Sequence, residues 1–309
     1  LKVFSSIEAC QNIQNPVLTL GMFDGIHIGH QSIIRQLNTI AKEVDGESVL
    51  LTFTPHPRKV LQPDFQLQML TTLQEKERIL EAEGLQNVIF HPFTREFSQV
   101  SAKDFVAEYL VKKLGLHTLV IGYDHHFGKN RAGDFEQLSV WSKEFGFQLV
   151  RIEEVLEKEG NAVSSTKVRN ALKEGDISFV NRALGRPYHL GGFVVHGDKI
   201  GRTLGFPTAN LQIEEGKLLP KDGVYVVKVL VGNSTHLGLL SIGFRETVSQ
   251  TKEHRVEVNI LDFQGDLYGQ FLEVDVLGFI RNEKKFNSLE ELIEAMNHDK
   301  EYARNNFSL

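Results

Sequence analysis

Short runs of β-branched and aliphatic residues alternate with longer stretches of helical period through the first half of the chain. The runs are 17–20 (VLTL), 48–53 (SVLLTF), 87–91 (NVIFH), 118–122 (TLVIG) and 147–152 (FQLVRI). Strands that alternate with helices predict βαβ units around a parallel sheet. Ser101 followed by Asp104 predicts a helix opening there and running through Leu114, and Gly133 to Phe145 reads as another. The segment 164–177 (SSTKVRNALKEGDI) is helical in pattern, and a short apolar segment after it ends at Leu184.

From Tyr188 the pattern changes to strands and turns. Apolar alternation marks 192–197, 224–231, 236–243, 254–261 and 269–280, separated by Gly, Asp and Asn turn signals. An antiparallel barrel or sandwich closes such a set. Ser288 with Glu291 has the form of a capping box, and Leu289, Leu292, Ile293 and Met296 recur at helical spacing, so a terminal helix is expected on the barrel. Two domains follow: an α/β unit over 1–184 and a mainly β unit over 185–309. The length of 309 residues agrees, because one domain usually takes roughly 150.

Composition narrows the function classes. With 41% hydrophobic and 24% charged residues, the chain is neither disordered nor fibrous. A net charge of −6 supplies no general attraction to nucleic acid or to an anionic membrane, so neither is expected as a partner. Cys10 is the only cysteine, which excludes an intrachain disulfide and fits a reducing compartment; a small, buried side chain is its ordinary role. No apolar run approaches the roughly 18 residues that span a bilayer. LKVFSSIEACQN at the N-terminus lacks a signal-peptide pattern, and cytoplasm is the expected location.

The run 17–20 leads directly into GMFDGIHIGHQSII (21–34), which brings glycines and two histidines to the start of a helical stretch. A strand–turn–helix junction of this kind presents backbone N–H groups to a phosphate. His27 and His30, with Gly29 leaving room beside them, can donate hydrogen bonds to phosphate oxygens and offset charge as a phosphoanhydride breaks. The plainer readings are a zinc pair or surface histidines. Zinc needs more ligands, and no Cys pair or HExxH pattern accompanies His125 and His126.

H-x-G-H after a first strand resembles the nucleotidylyltransferases. The longer GMFDGIHIGHQ, followed by TFTPHPRKV (52–60), GYDHHFGKNRAGD (122–134) and SSTKVRNAL (164–172), is similar to the adenylyltransferase module of bacterial bifunctional FAD synthetases. The resemblance implies a Rossmann-like sheet, catalytic His27 and His30, and nucleotide contacts at Gly21, Phe23, Asp24 and Gly29. Arg58 and Lys59 can face phosphates or stand as solvated charge. Asp124 is open to a nucleotide or flavin contact and equally to an Asx turn. Ser165, Thr166 and Arg169 can grip triphosphate oxygens together; an N-cap accounts for the hydroxyls but not for Arg169. A Walker A reading fails, because GYDHHFGKN has the wrong glycine spacing and Asn130 where Ser or Thr is required.

In the second half, GGFVVHGDKIGRTLGFPTANL (191–211) is dense in glycine, which either wraps phosphates or merely turns a barrel. Thr208 and Asn210 offer hard oxygens suited to Mg²⁺. With GVYVV (223–227) and VEVNILDFQGDLYG (256–269) downstream, the segment resembles the riboflavin kinase module of the same enzymes. Alternation places Arg255, Glu257 and Asn259 opposite Val256, Val258 and Ile260. An isolated Glu257 would be an ordinary solvated carboxylate; the resemblance implies the general base of an E-x-H-x-x-D-F segment, with Asn259 where many relatives have His. It also implies nucleotide or phosphate contacts at Gly197, Gly201, Arg202, Pro207, Thr208 and Asn210, although Arg202 equally fits a strand-end salt bridge.

The two resemblances together imply an enzyme that phosphorylates riboflavin to FMN with ATP and then adenylylates FMN to FAD, with Mg²⁺ accompanying ATP. A nucleotidylyltransferase acting on another phosphate acceptor and a flavin-binding sensor without turnover are the alternatives.

Overall fold

A computed structural model describes residues 1–122, 134–152, 163–197, 206–246 and 252–309. The chain forms two compact units, Leu1–Ser164 and Ser165–Leu309.

The first unit is built on a parallel sheet. Its strands are β1 (Lys2–Phe4), β2 (Val17–Leu20), β3 (Ser48–Thr54), β4 (Asn87–Pro92), β5 (Thr118–Gly122) and β6 (Gln148–Ile152), in the order β1-β4-β3-β2-β5-β6. Both faces are covered, so the central strands read as continuous apolar runs. Leu18, Leu20, Val49, Leu51, Leu119 and Ile121 point to one face. Val17, Leu50, Val88 and Val120 point to the other, where Ile34 and Leu37 of α1 (Ile28–Glu43) and Leu80 of α3 (Leu73–Ala82) cover them. The short α2 (Pro57–Leu61) lies between α1 and α3 in sequence. On the first face, α4 (Ala102–Asp104) runs on as a π-helix over Phe105–Lys113 and packs beside α5 (Phe135–Phe145). Ser101 caps α4 as its sequence predicts, accepting from the Asp104 amide at 3.0 Å, but the winding beyond Asp104 is π rather than α.

The strand order reverses between β2 and β5, since β3 lies on one side of β2 and β5 on the other. Ligands of open α/β sheets bind outside the carboxyl ends of the strands at such a switch point. The turn 21–27 leaves β2 there.

The second unit opens with α6 (Ser165–Glu174) and α7 (Ile177–Leu184). Asn181 of α7 donates to the Val276 carbonyl at 2.9 Å and accepts from the Tyr188 amide at 2.9 Å. These bonds tie α7 to the strands, and both helices belong to the second compact unit. Six strands close a barrel in the order β10-β11-β8-β7-β12-β9. They are β7 (Tyr188–Val195), β8 (Ala209–Ile213), β9 (Gly223–Val231), β10 (Ser234–Glu246), β11 (Lys252–Ile260) and β12 (Phe271–Arg281). β8 is an addition to the strands read from sequence. The terminal α8 (Leu289–Asn306) packs Ala303 against Val226, Leu239 and Leu261, and Arg281 grips the buried Asp299 through Nε and Nη2 at 2.8–3.1 Å. Leu289, expected on the apolar face, is instead 57% exposed. Ser288 accepts from the Glu291 amide at 3.2 Å, while the Glu291 carboxylate reaches the Asn287 amide and not that of Ser288.

Candidate functional site

In the first unit, His27 is the N-cap of α1 and its Nδ1 accepts from the His30 amide at 3.4 Å. An accepting Nδ1 puts the proton of a neutral ring on Nε2. The two imidazoles stack with centroids 3.7 Å apart at 18°, and Phe23 stacks on the other side of His30 at 4.5 Å. Burial, then the neighbouring His27 and Lys76, hold the His30 imidazole well below the ordinary histidine range. Its Nδ1 is buried with no hydrogen-bond partner. A Cβ at Gly29 would press on the His27 ring at 3.2 Å, which explains the glycine between the histidines.

The turn feeding this pair is strained and heavily pinned. Phe23 and Ile26 hold φ of 44° and 41°, conformations that cost roughly 1–3 kcal/mol each for residues with side chains. Asp24 is buried and accepts from the Leu70 amide at 3.0 Å and from the Thr71 amide and hydroxyl at 3.2 Å. Thr71 Oγ1 in turn accepts from the Gly25 amide at 3.2 Å. The Met22 carbonyl receives Lys76 Nζ at 2.7 Å and Thr52 Oγ1 at 3.4 Å. Gly21 spends its amide on the Leu51 carbonyl at 3.1 Å, inside the sheet. Asp24 and Gly21, implied from sequence as nucleotide contacts, therefore make bonds that shape the turn. Thr71 and Lys76 were missed; the capping box Thr72–Glu75 just ahead of Lys76 was the one local signal nearby.

Arg58 and Lys59 lie exposed on α2, with the Arg58 guanidinium 4.9 Å over the Phe65 ring. Ser165 and Thr166 begin α6, with Arg169 one turn on, in the second unit. Asp124, Gly201 and Arg202 lie outside the described residues. Cys10 is a free, half-buried thiol that burial pushes up to about 11.

In the barrel, register brings the second set together. Glu257 stands directly opposite Asn210, and Asn210 opposite Val195. Thr208 Oγ1 donates to Glu257 Oε2 at 3.3 Å, and Arg255 Nη1 donates to Glu257 Oε1 at 2.9 Å. Both carboxylate oxygens are thereby oriented. The alternation read from sequence holds, with Val256, Val258 and Ile260 buried. Asn259 donates from Nδ2 to the Pro207 carbonyl at 2.8 Å, which assigns that side chain a place the sequence left open. A Cβ at Gly197 would run into the Asn210 side chain, so glycine is required for this close approach. Thr208, Pro207 and Val258 line a cavity of about 350 Å³, together with the 263–268 loop. His196 packs on Tyr268 of that loop with ring centroids 4.1 Å apart.

Residues 10–167 match the FAD synthetase family and residues 184–307 the riboflavin kinase family. The bifunctional riboflavin kinase/FMN adenylyltransferase of Listeria monocytogenes is 40% identical over 291 residues, covering 94% of this chain and 92% of its own. That of Escherichia coli K12 is 37% identical over 294 residues, with 95% and 93% covered. A solved structure described as a macrolide-efflux protein from Streptococcus pneumoniae superposes with a TM-score of 0.90 at 33% identity over 99% of both chains. Among the described residues of this chain, no helix is long and apolar enough to cross a membrane. With both family matches in one chain and relatives of this identity aligned over nearly their whole length, the chain belongs to the bifunctional riboflavin kinase/FMN adenylyltransferase family.

Proposed function

We propose that residues 185–309 transfer the γ-phosphoryl group of ATP to riboflavin and that residues 1–184 adenylylate the resulting FMN. One observation carries this: the stacked His27–His30 pair falls in the FAD synthetase match, and the Thr208–Glu257–Asn210 set falls in the riboflavin kinase match.

In the kinase step, Glu257 accepts the proton of riboflavin's primary hydroxyl as its oxygen bonds to the γ-phosphorus and ADP departs. Arg255 and Thr208 hold the two carboxylate oxygens in place for this. The donor set fits a magnesium ion, because the Thr208 hydroxyl and Asn210 carboxamide are hard oxygens beside the base. Among the described residues, no group of three or more His, Cys, Asp or Glu offers a different cage. Bound there with ATP, the ion would neutralise phosphate charge.

In the adenylyl step, an FMN phosphate oxygen attacks the α-phosphorus of a second ATP and pyrophosphate leaves. His27 and His30 donate hydrogen bonds to the charge that builds. Alignment and electrostatics supply most of the acceleration.

Incubation with riboflavin, ATP and Mg²⁺, followed by chromatography over time, tests the reading. FMN should appear first and FAD after it; neither product would leave the reading without support.

A further inference from the structure

Lys76 is 2% exposed, and its ammonium ends on the Met22 carbonyl at 2.7 Å. The same carbonyl already receives a neutral donor, the Thr52 hydroxyl at 3.4 Å. Burying a full charge is expensive, and a carbonyl does not require one. The surroundings give the charge a purpose. Met22 begins the strained turn that ends in His27, and Lys76 comes from α3, whose N-cap Thr72 directly follows Thr71 and its bonds to Asp24 and Gly25. One short stretch, 70–76, therefore pins the turn at Met22, Asp24 and Gly25, and its only cation is the buried one.

We infer that Lys76 is a positioning residue for adenylyl transfer: its ammonium fixes the Met22 carbonyl, and with it the turn that presents His27 and His30. The inference rests on the proposed role of the imidazole pair. Two further observations support it. Burial lowers the Lys76 ammonium to about 8, against the pull of the Asp24 carboxylate, so the group titrates near the working range. Lys76 is also among the causes, after burial and His27, that lower His30. The charged group acting on Lys76 is thus Asp24 of the turn, and Lys76 itself acts on His30.

Lys76→Met and Lys76→Arg in the full chain test this, with FAD formation from FMN, FMN formation from riboflavin, and the NMR titration of the His30 ring followed on the same preparations. Lys76→Met should lower kcat for FAD formation by about tenfold or more, a scale set by small misplacements of reacting groups. FMN formation should stay at the wild-type level, and His30 should titrate at higher pH than in the wild type. Lys76→Arg should restore most of the rate and keep it at alkaline pH, where wild-type FAD formation declines as pH rises through about 8. Wild-type rates in Lys76→Met, or an unmoved His30 titration, would overturn the inference while leaving the adenylyl site in place. Should Lys76→Met not fold, an alkaline decline identical in Lys76→Arg and wild type overturns it. Absence of FAD from the wild type overturns the functional reading itself.

Discussion

The carboxamide of Asn259 donates to the carbonyl of Pro207 at 2.8 Å, so a residue of β11 fixes the chain just ahead of Thr208. Asn259→Leu removes the donor and leaves the Pro207 carbonyl without this bond. FMN formation should fall by about tenfold, the cost of roughly 1.4 kcal/mol in positioning and in the unmade bond. Steady-state kinetics with riboflavin will read this, and an unchanged rate would show that Thr208 needs no such support. FAD formation from supplied FMN should not move.

His30→Ala should reduce FAD formation by about 10²–10³-fold, the usual effect of losing one donor to developing charge. FMN formation in the same protein should remain. Loss of both activities in a folded variant contradicts two separate sites.

Glu257→Gln retains the shape, and its one carbonyl oxygen can still accept from Arg255, but it cannot accept a proton at neutral pH. FMN formation should drop by about 10²–10⁴-fold, with adenylylation of supplied FMN intact. A variant that still phosphorylates riboflavin at the wild-type rate removes Glu257 from the role of base.

Acid should weaken the first unit before ordinary carboxylates titrate. His91 Nδ1 accepts from the Ile7 amide at 3.2 Å, and burial holds His91 below the ordinary range, as it does His30. A histidine lowered on folding binds its proton more readily when unfolded. Its stabilisation is therefore present above the unfolded value near 6.5 and is lost as pH falls toward the folded value. Thermal melts should shift down between pH 6.5 and 5, and a flat profile across that window would exclude the effect. Replacing His91 by Gln, which cannot titrate, should shrink the acid-induced shift.

Asp299→Ala should destabilise the barrel by about 3 kcal/mol, because it leaves the Arg281 guanidinium without its buried partner. Urea unfolding followed on barrel signals measures this. A change below the level of an exposed ion pair would mean that α8 is held by Ala303 and its neighbours alone.

Much of this molecule was legible in its sequence, for a physical reason. Strands buried on both faces, such as β2 and β3, cannot be read as anything but apolar runs, and β11 alternates so strictly that Glu257 fell on the correct face. β1 and β8 escaped because three or five residues carry too little pattern, and β8 begins inside a motif that reads as turn. The π winding of Phe105–Lys113 leaves the same capped, apolar signature as an α-helix. At the candidate sites, the histidines, Thr208 and Glu257 stand out in the sequence by residue type and motif. Thr71, Lys76 and Asn259 do not, since their roles arise from bonds across 47, 54 and 52 positions of chain. Leu289 looked like core only because its helix was taken to be buried from its first turn.

Glu257 and Asn210 occupy one rung of the β8–β11 ladder. Slippage by a single residue would turn the carboxylate toward the packed interior and send a valine outward in its stead. With Glu257 as the proposed base, phosphorylating ability becomes a built-in reporter of correct zipping: a mispaired barrel, however compact, is silent.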